Sequence, residues 1–265
     1  MKKIPFKNVS GEIVNIWYYD DVPYTEEKHA CMIWIHGGGW HITDPSIFGD
    51  NYSYFTKRGI VCFSVEYRLI GNTEDLECKA LKNCIDDCCD AIKFVRENAD
   101  EFNIDKNRII VVGESAGGHL ALCSATGIVK NYGTDSVPNM VVTYNPVTCL
   151  TSSWAYNVCN IRRSLNSEEF LSMSNTVRKL CPYSNVESNN IPLLLLTGLD
   201  DKVTYPGTVY DFYLKYKEAG NSAEIVLYEK TEHAFALPEY YTLGSESRED
   251  SFKRIVDFIR KYKLI

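Results

Sequence analysis

The chain has 265 residues, 45% of them hydrophobic and 24% charged, with a net charge of -7 at pH 7. That length suits one large α/β domain whose core needs no staples, and the acidic balance argues against nucleic acid or anionic membrane as a partner. The opening "MKKIPFKNVSGE" has two lysines but no apolar stretch of a signal peptide, and no apolar run reaches the length of a membrane span, so a cytoplasmic location is expected.

"EIVNIWYY" (12–19) alternates apolar and polar residues and predicts a strand near a sheet edge. "CMIWI" (31–35) is a short buried strand that runs into "HGGGW" (36–40). Glycine loses more freedom on folding than any other residue, so three in a row at a strand end imply that bare backbone is needed there. "IVCFSV" (60–65) is the next strand. Over 77–102, Leu81, Cys84, Ile85, Cys88, Ile92, Val95, Ala99 and Phe102 recur at helical spacing and make one apolar stripe. The ten cysteines include no C-x-x-C pair, and Cys84, Cys88 and Cys89 read as small buried thiols of that helix rather than as metal ligands. The strands "RIIVVG" (108–113), "MVVTYN" (140–145), "PLLLLT" (192–197) and "EIVLYE" (224–229) follow, with helices predicted over 205–220 and 246–262. Strands alternating with helices argue for a mostly parallel sheet covered by helices. Residues 148–190, rich in Ser, Asn and Arg and carrying Trp154 and Tyr156, break the rhythm. They are expected to form an insertion over the active site within a single domain spanning 1–265.

"RIIVVGESAGGHLAL" (108–122) sets G-E-S-A-G between a strand and a helix, the layout of a nucleophile elbow. Ser115 would sit on a strained turn, with Gly113 and Gly117 small enough to permit it and Gly118 letting the helix approach. The chain has no G-x-G-x-x-G and no P-loop lysine, which removes both nucleotide-binding readings.

With "HGGGW", "EYRL", "GESAGG", "TGLDDKV" and "EHAF" in this order, the chain resembles the α/β-hydrolase esterases of the hormone-sensitive-lipase and acetyl-esterase kind. The resemblance covers most of the chain from Cys31 onward and implies an eight-stranded sheet and cofactor-free hydrolysis of carboxylic esters. Two departures stand out. "EYRL" continues into "IGNTEDL" rather than A-P-E, and only 35 residues precede His36, which matches compact members without an N-terminal helical cap.

A serine hydroxyl needs a base, and five histidines compete for that role. His29 is expected to be solvated, His36 to brace the glycine loop, His41 to lie near a pocket mouth and His119 to point along the elbow helix. His233 follows the last strand at its C-terminal end, where catalytic groups of open α/β sheets gather, and is the predicted base. The orienting acid should follow "PLLLLT", where Asp200 and Asp201 are adjacent; the family pattern selects Asp201. The N–H of Ala116, after the nucleophile, would join those of Gly37 and Gly38 in an oxyanion hole. Gly39 would only permit the turn. Trp40 and Trp154 are candidate walls for a substrate, with Tyr156 and Tyr205 as further flat faces. His36 and His41 lack the helical i, i+4 spacing of a zinc site, so no metal is expected, nor any cofactor.

The predicted activity is a serine carboxylesterase for short acyl groups such as acetyl, with an acetylated sugar as one alcohol partner. Two alternatives stay open: an aryl-formamidase, and a ligand-binding homologue without catalysis. The oligomeric state is not read from the sequence.

Overall fold

The computed structural model describes residues 1–71, 78–150, 167–238 and 245–265. The strands are β1 (Lys2–Val9), β2 (Glu12–Tyr19), β3 (His29–Ile35), β4 (Ile60–Glu66), β5 (Ile104–Glu114), β6 (Met140–Tyr144), β7 (Leu193–Gly198) and β8 (Ala223–Tyr228). They form one sheet in the order β1-β2-β4-β3-β5-β6-β7-β8. The pairings from β4 to β8 are parallel, and β1 and β2 join antiparallel at one edge. The expected eight-stranded, mostly parallel sheet is present.

The strand β1 escapes the sequence reading because its lysines and Pro5 mask the alternation. Proline has no N–H for a ladder and is tolerated on an edge strand, and the register shifts between Pro5 and Lys7. Lysines on this edge pair inward, Lys3 with Glu66 and Lys7 with Asp87, and charges of this kind discourage edge-to-edge association.

Helices α1 (Asn51–Thr56), α2 (Lys79–Glu97), α3 (Ala116–Cys123), α4 (Ser167–Leu180), α5 (Pro206–Glu218) and α6 (Ser245–Lys261) cover the sheet. The two-residue period of β3 divides the core between its faces. Cys31, Ile33 and Ile35 pack with Leu81 and Ile85 of α2, Leu120 of α3 and Phe212 of α5. Ala30, Met32 and Trp34 pack with Phe55 of α1 and Phe252 and Ile255 of α6. Burial on both faces explains why the central strands read as continuous apolar runs.

The helix predicted over 77–102 is shorter, because Asn98 caps it through its side-chain amide on the Phe94 carbonyl. Ala99 and Phe102 leave the helix yet stay buried. Cys84, Cys88 and Cys89 are buried on α2. His29 corrects an expectation: it is buried, and its Nδ1 donates to the Gly59 carbonyl at 2.8 Å. Of the 148–190 stretch, 151–166 lie outside the described residues. The flanks are stitched to the sheet end: Tyr183 N–H donates to the Thr148 carbonyl at 3.0 Å, and the Leu180 carbonyl accepts from His119 Nε2 at 2.9 Å. None of the described helices is long and apolar enough to cross a membrane.

Strand β3 lies between β4 and β5. The chain leaves β3 toward β4 on one side and returns to β5 on the other, so the strand order reverses there. Open α/β sheets bind ligands outside the carboxyl ends of strands at such a reversal. The glycine loop after β3 and Ser115 after β5 flank that crevice.

Candidate active site

Ser115 joins β5 to α3 with φ 53° and ψ -116°, a conformation that is costly for a residue with a side chain. Its N–H donates to the Tyr144 carbonyl at 2.9 Å. The close packing around it leaves no room for neighbouring side chains. A Cβ on Gly113 would stand 2.2 Å from the Gly117 carbonyl oxygen, and one on Gly117 would stand 2.1 Å from that of Ile35. A Cβ on Gly118 would meet Pro146 at 2.8 Å.

His233 lies in the loop after β8, and Asp201 in the loop after β7. His233 Nε2 is 2.9 Å from Ser115 Oγ, and its Nδ1 is 2.7 Å from Asp201 Oδ2. The two loops are held in register by backbone contacts. Asp200 N–H donates to the Thr231 carbonyl at 3.0 Å, and a Cβ on Gly198 would be 2.2 Å from that same oxygen. Asp200 itself is exposed while Asp201 is buried, and of the adjacent pair it is Asp201 whose carboxylate meets His233.

Asp201 is held by an unusual number of donors. Oδ1 accepts the N–H of Val203 and Thr204 at 2.7 and 2.9 Å, and Oδ2 accepts Asn145 Nδ2 at 2.5 Å and Thr204 Oγ1 at 2.7 Å besides the imidazole. Burial works against its charge, but the hydrogen bonds from His233, Thr204 and Val203 prevail and hold its carboxyl below the usual range. Burial likewise works against a charged His233, but the hydrogen bond to Asp201 and the charges of Glu114 and Asp201 raise its proton affinity above the ordinary value. The serine–imidazole–carboxylate relay can take a proton from a hydroxyl and return it to a leaving group.

The glycine loop is braced from behind. His36 is buried, its Nδ1 lies 3.0 Å from the Gly37 carbonyl, and its ring stacks on Tyr67 with centroids 4.3 Å apart. Burial holds this imidazole neutral, with its pKa lowered to about 4. Tyr67, in "EYRL", donates to the His36 carbonyl at 2.9 Å. Its neighbour Arg68 is anchored by a two-point ion pair to buried Asp87 of α2, at 2.8 and 2.9 Å. Ile70 N–H then donates to the Trp40 carbonyl at 2.8 Å.

The three glycines have separate reasons to be bare. At Gly37 a Cβ would lie 2.0 Å from Glu114 Oε2 and 3.0 Å from Ser115 Cβ. Gly38 and Gly39 have φ of 86° and 60°, where only glycine is at ease. Gly38 also abuts the Ile42 carbonyl oxygen, 2.2 Å from where its Cβ would be. Among the described residues, no acceptor takes the N–H of Gly37, Gly38, Gly39 or Ala116.

A pocket of about 430 Å³ opens over Ser115 and His233, with Gly38, Gly39 and apolar Ile42, Ile47, Val203 and Leu237 among its walls. Gly37 and Ala116 are not on its lining. A larger depression of about 920 Å³ lies elsewhere, among the charged residues Lys28, Arg96, Asp100 and Asp135, and touches none of these groups.

Trp40 is not a wall of this pocket. It is fully buried, and its ring meets His119 edge-on at 5.4 Å, in the core between the sheet and α3. The positive φ of Trp40, following those of Gly38 and Gly39, carries the chain round the turn and the indole away from the opening. His119, lowered to about 4 by burial, turns toward the Leu180 carbonyl and not toward the serine. Tyr205 is 61% exposed at the start of α5. Trp154 and Tyr156 lie outside the described residues. Sequence reasoning missed Asn145 and Thr204, for which no local signal exists. It also passed over Glu114, whose signal was a charged residue inside an otherwise apolar elbow.

A sheet of this order with a serine elbow after β5, an acid after β7 and a histidine after β8 defines an α/β hydrolase. The BD-FAE family model matches residues 21–213, and the chain belongs to that family. It is 38% identical over 94 residues, 34% of its length, to an AB hydrolase superfamily protein of Schizosaccharomyces pombe, covering 25% of that protein. It is 22% identical over 223 residues to an acetylxylan esterase of Xylanibacter ruminicola, covering 83% of this chain and 44% of the relative. The chain thus spans about half or less of the length of the curated relatives it matches. The propionate-bound structure of an esterase from Thermogutta terrifontis superposes with a TM-score of 0.80 at 22% identity, over 100% of this chain and 95% of that one. At that identity the likeness speaks for the fold.

Proposed function

We propose that the chain is a serine carboxylesterase for short-chain acyl esters, with Ser115 as nucleophile, His233 as base and Asp201 as orienting acid. The observation that carries this reading is the continuous relay from Ser115 Oγ to His233 at 2.9 Å and on to Asp201 at 2.7 Å. Ser115 Oγ attacks the ester carbonyl as His233 Nε2 takes its proton. The imidazolium returns that proton to the departing alcohol, leaving an acyl-serine. Water, deprotonated by the same nitrogen, then releases the acid. Asp201 holds the tautomer with Nδ1 protonated. The N–H groups of Ala116, Gly37 and Gly38, which no described acceptor engages, are the proposed donors to the oxyanion.

The mainly apolar walls suit an acyl chain better than a charged group. The named activity of the Xylanibacter relative supports acetyl esters of a sugar as the first substrates to try. The test is hydrolysis of p-nitrophenyl acyl esters, an acetylated xylo-oligosaccharide and formyl-kynurenine side by side. Acyl-ester turnover that disappears in a folded Ser115→Ala variant is expected; turnover retained in that variant would refute the assignment. The rate should fall as His233 gains a proton, with a midpoint above the ordinary histidine value of about 6.5.

A further inference from the structure

One ionisable group at the site has no part in the relay. Glu114, immediately before the nucleophile, is 2% exposed. Its Oε1 has no hydrogen-bond partner among the described residues, and that atom lies 3.8 Å from His233 Nε2. A buried carboxyl oxygen without a donor is costly and calls for an explanation. Its other oxygen fills the space that the missing Cβ of Gly37 leaves. The carboxyl is therefore wedged between the glycine loop, the elbow and the histidine loop, and it lines the pocket.

We propose that Glu114 is a positioning residue for the acid–base step, a second carboxyl that faces Nε2 of His233 as Asp201 faces Nδ1, so that His233 and Glu114 titrate as one coupled pair. This rests on the esterase reading for its consequence in catalysis, though not for its physical content. Several described residues face Glu114. His233 and, behind it, Asp201 come from the two adjoining loops; the Tyr67 phenol comes from behind the glycine loop; Lys202, Asp200 and Glu232 stand around the pocket. Burial pushes the Glu114 carboxyl up to about 7, against the pull of His233 and with the help of Asp201.

While Glu114 is ionised it favours the imidazolium that forms as the serine loses its proton. When Glu114 takes up a proton, that help is withdrawn and His233 holds its own proton less firmly. Interacting sites of this kind titrate over a broader range than one group does. Replacing Glu114 by glutamine keeps the shape and removes the charge, so His233 should protonate at lower pH.

The experiment is NMR titration of the His233 ring in the wild type and in Glu114→Gln, assigned with His233→Asn, alongside kcat/KM against pH. The expected result is a broad wild-type curve with a slope below one proton, and a single-proton curve at lower pH in Glu114→Gln, with the acid limb of kcat/KM moving the same way. Identical midpoints and slopes would overturn the proposal and leave Glu114 as space-filling alone. If the variant does not fold, the wild-type curve decides: a simple single-proton titration of His233 refutes the pair. Ring titration needs no turnover. An inert enzyme with a shifted titration would sink the esterase reading and keep the pair; an active one with an unshifted titration would do the reverse.

Discussion

At the scale of single residues, the adjacent aspartates make the sharpest contrast. Asp201 accepts hydrogen bonds on both oxygens, whereas Asp200 is exposed and acts through its backbone. Asp201→Asn should lower kcat by on the order of 10³- to 10⁴-fold, because the amide favours the wrong imidazole tautomer. Asp200→Asn should change it only a few-fold; the opposite ranking in steady-state kinetics would move the role to Asp200. Gly37 offers a second test. Gly37→Ala drives a methyl into Glu114 Oε2, and overpacking of this kind costs about 1–3 kcal/mol. Adding Glu114→Ala removes the worst contact but leaves Ser115 Cβ and the Glu114 carbonyl oxygen, both at 3.0 Å. The double variant should regain part of the lost stability in urea melts. No recovery would mean that the clash with Glu114 is not what demands glycine.

Between elements, the glycine loop depends on a strut that runs from α2 through "EYRL". Asp87, fully buried in α2, receives Arg68 and Lys7, and the residue before Arg68 is the tyrosine that holds the His36 carbonyl. Losing Asp87 takes the carboxylate from Arg68, while Lys7 keeps Asp90, and because both cations are partly exposed the cost is about 1–3 kcal/mol. Asp87→Ala should therefore lower stability by an amount of that order and also reduce acyl-ester turnover, although Asp87 is nowhere near the pocket. Calorimetry and kinetics on the same preparation check this; unchanged turnover would separate the strut from the site. Periodicity made α2 legible, since its stripe lies within one segment. The purpose of its buried aspartate was not, because the partners come from the edge strand and from the loop after β4.

For the whole molecule, the buried ionisable groups set the response to acid. His36 and His119 are held at about 4, so between pH 6.5 and 4 the unfolded chain binds more protons at these sites, and stability falls as pH falls. Each contributes a loss of about 3 kcal/mol across that window. Glu114, held up at about 7, has the opposite sign: between pH 7 and 4.5 the folded state binds the extra proton, and acid favours folding. His233 acts in the same sense as Glu114, but above its ordinary value. Below pH 6.5 two imidazoles outweigh one carboxyl, so urea stability should decline from pH 6.5 to pH 5, and more steeply in Glu114→Gln. A flat profile in both proteins would contradict neutral burial of the histidines. The parallel sheet was legible along the chain because strands buried on both faces must be continuously apolar, and the elbow was legible because a strained turn dictates small residues within five positions. The order of the candidate serine, acid and histidine along three strand ends was legible there too. The tertiary structure alone decided which aspartate meets His233, why Gly37 is bare, where Trp40 goes and what surrounds Glu114. Those depend on contacts between segments distant in the chain, and no local pattern encodes the space that one segment leaves for another.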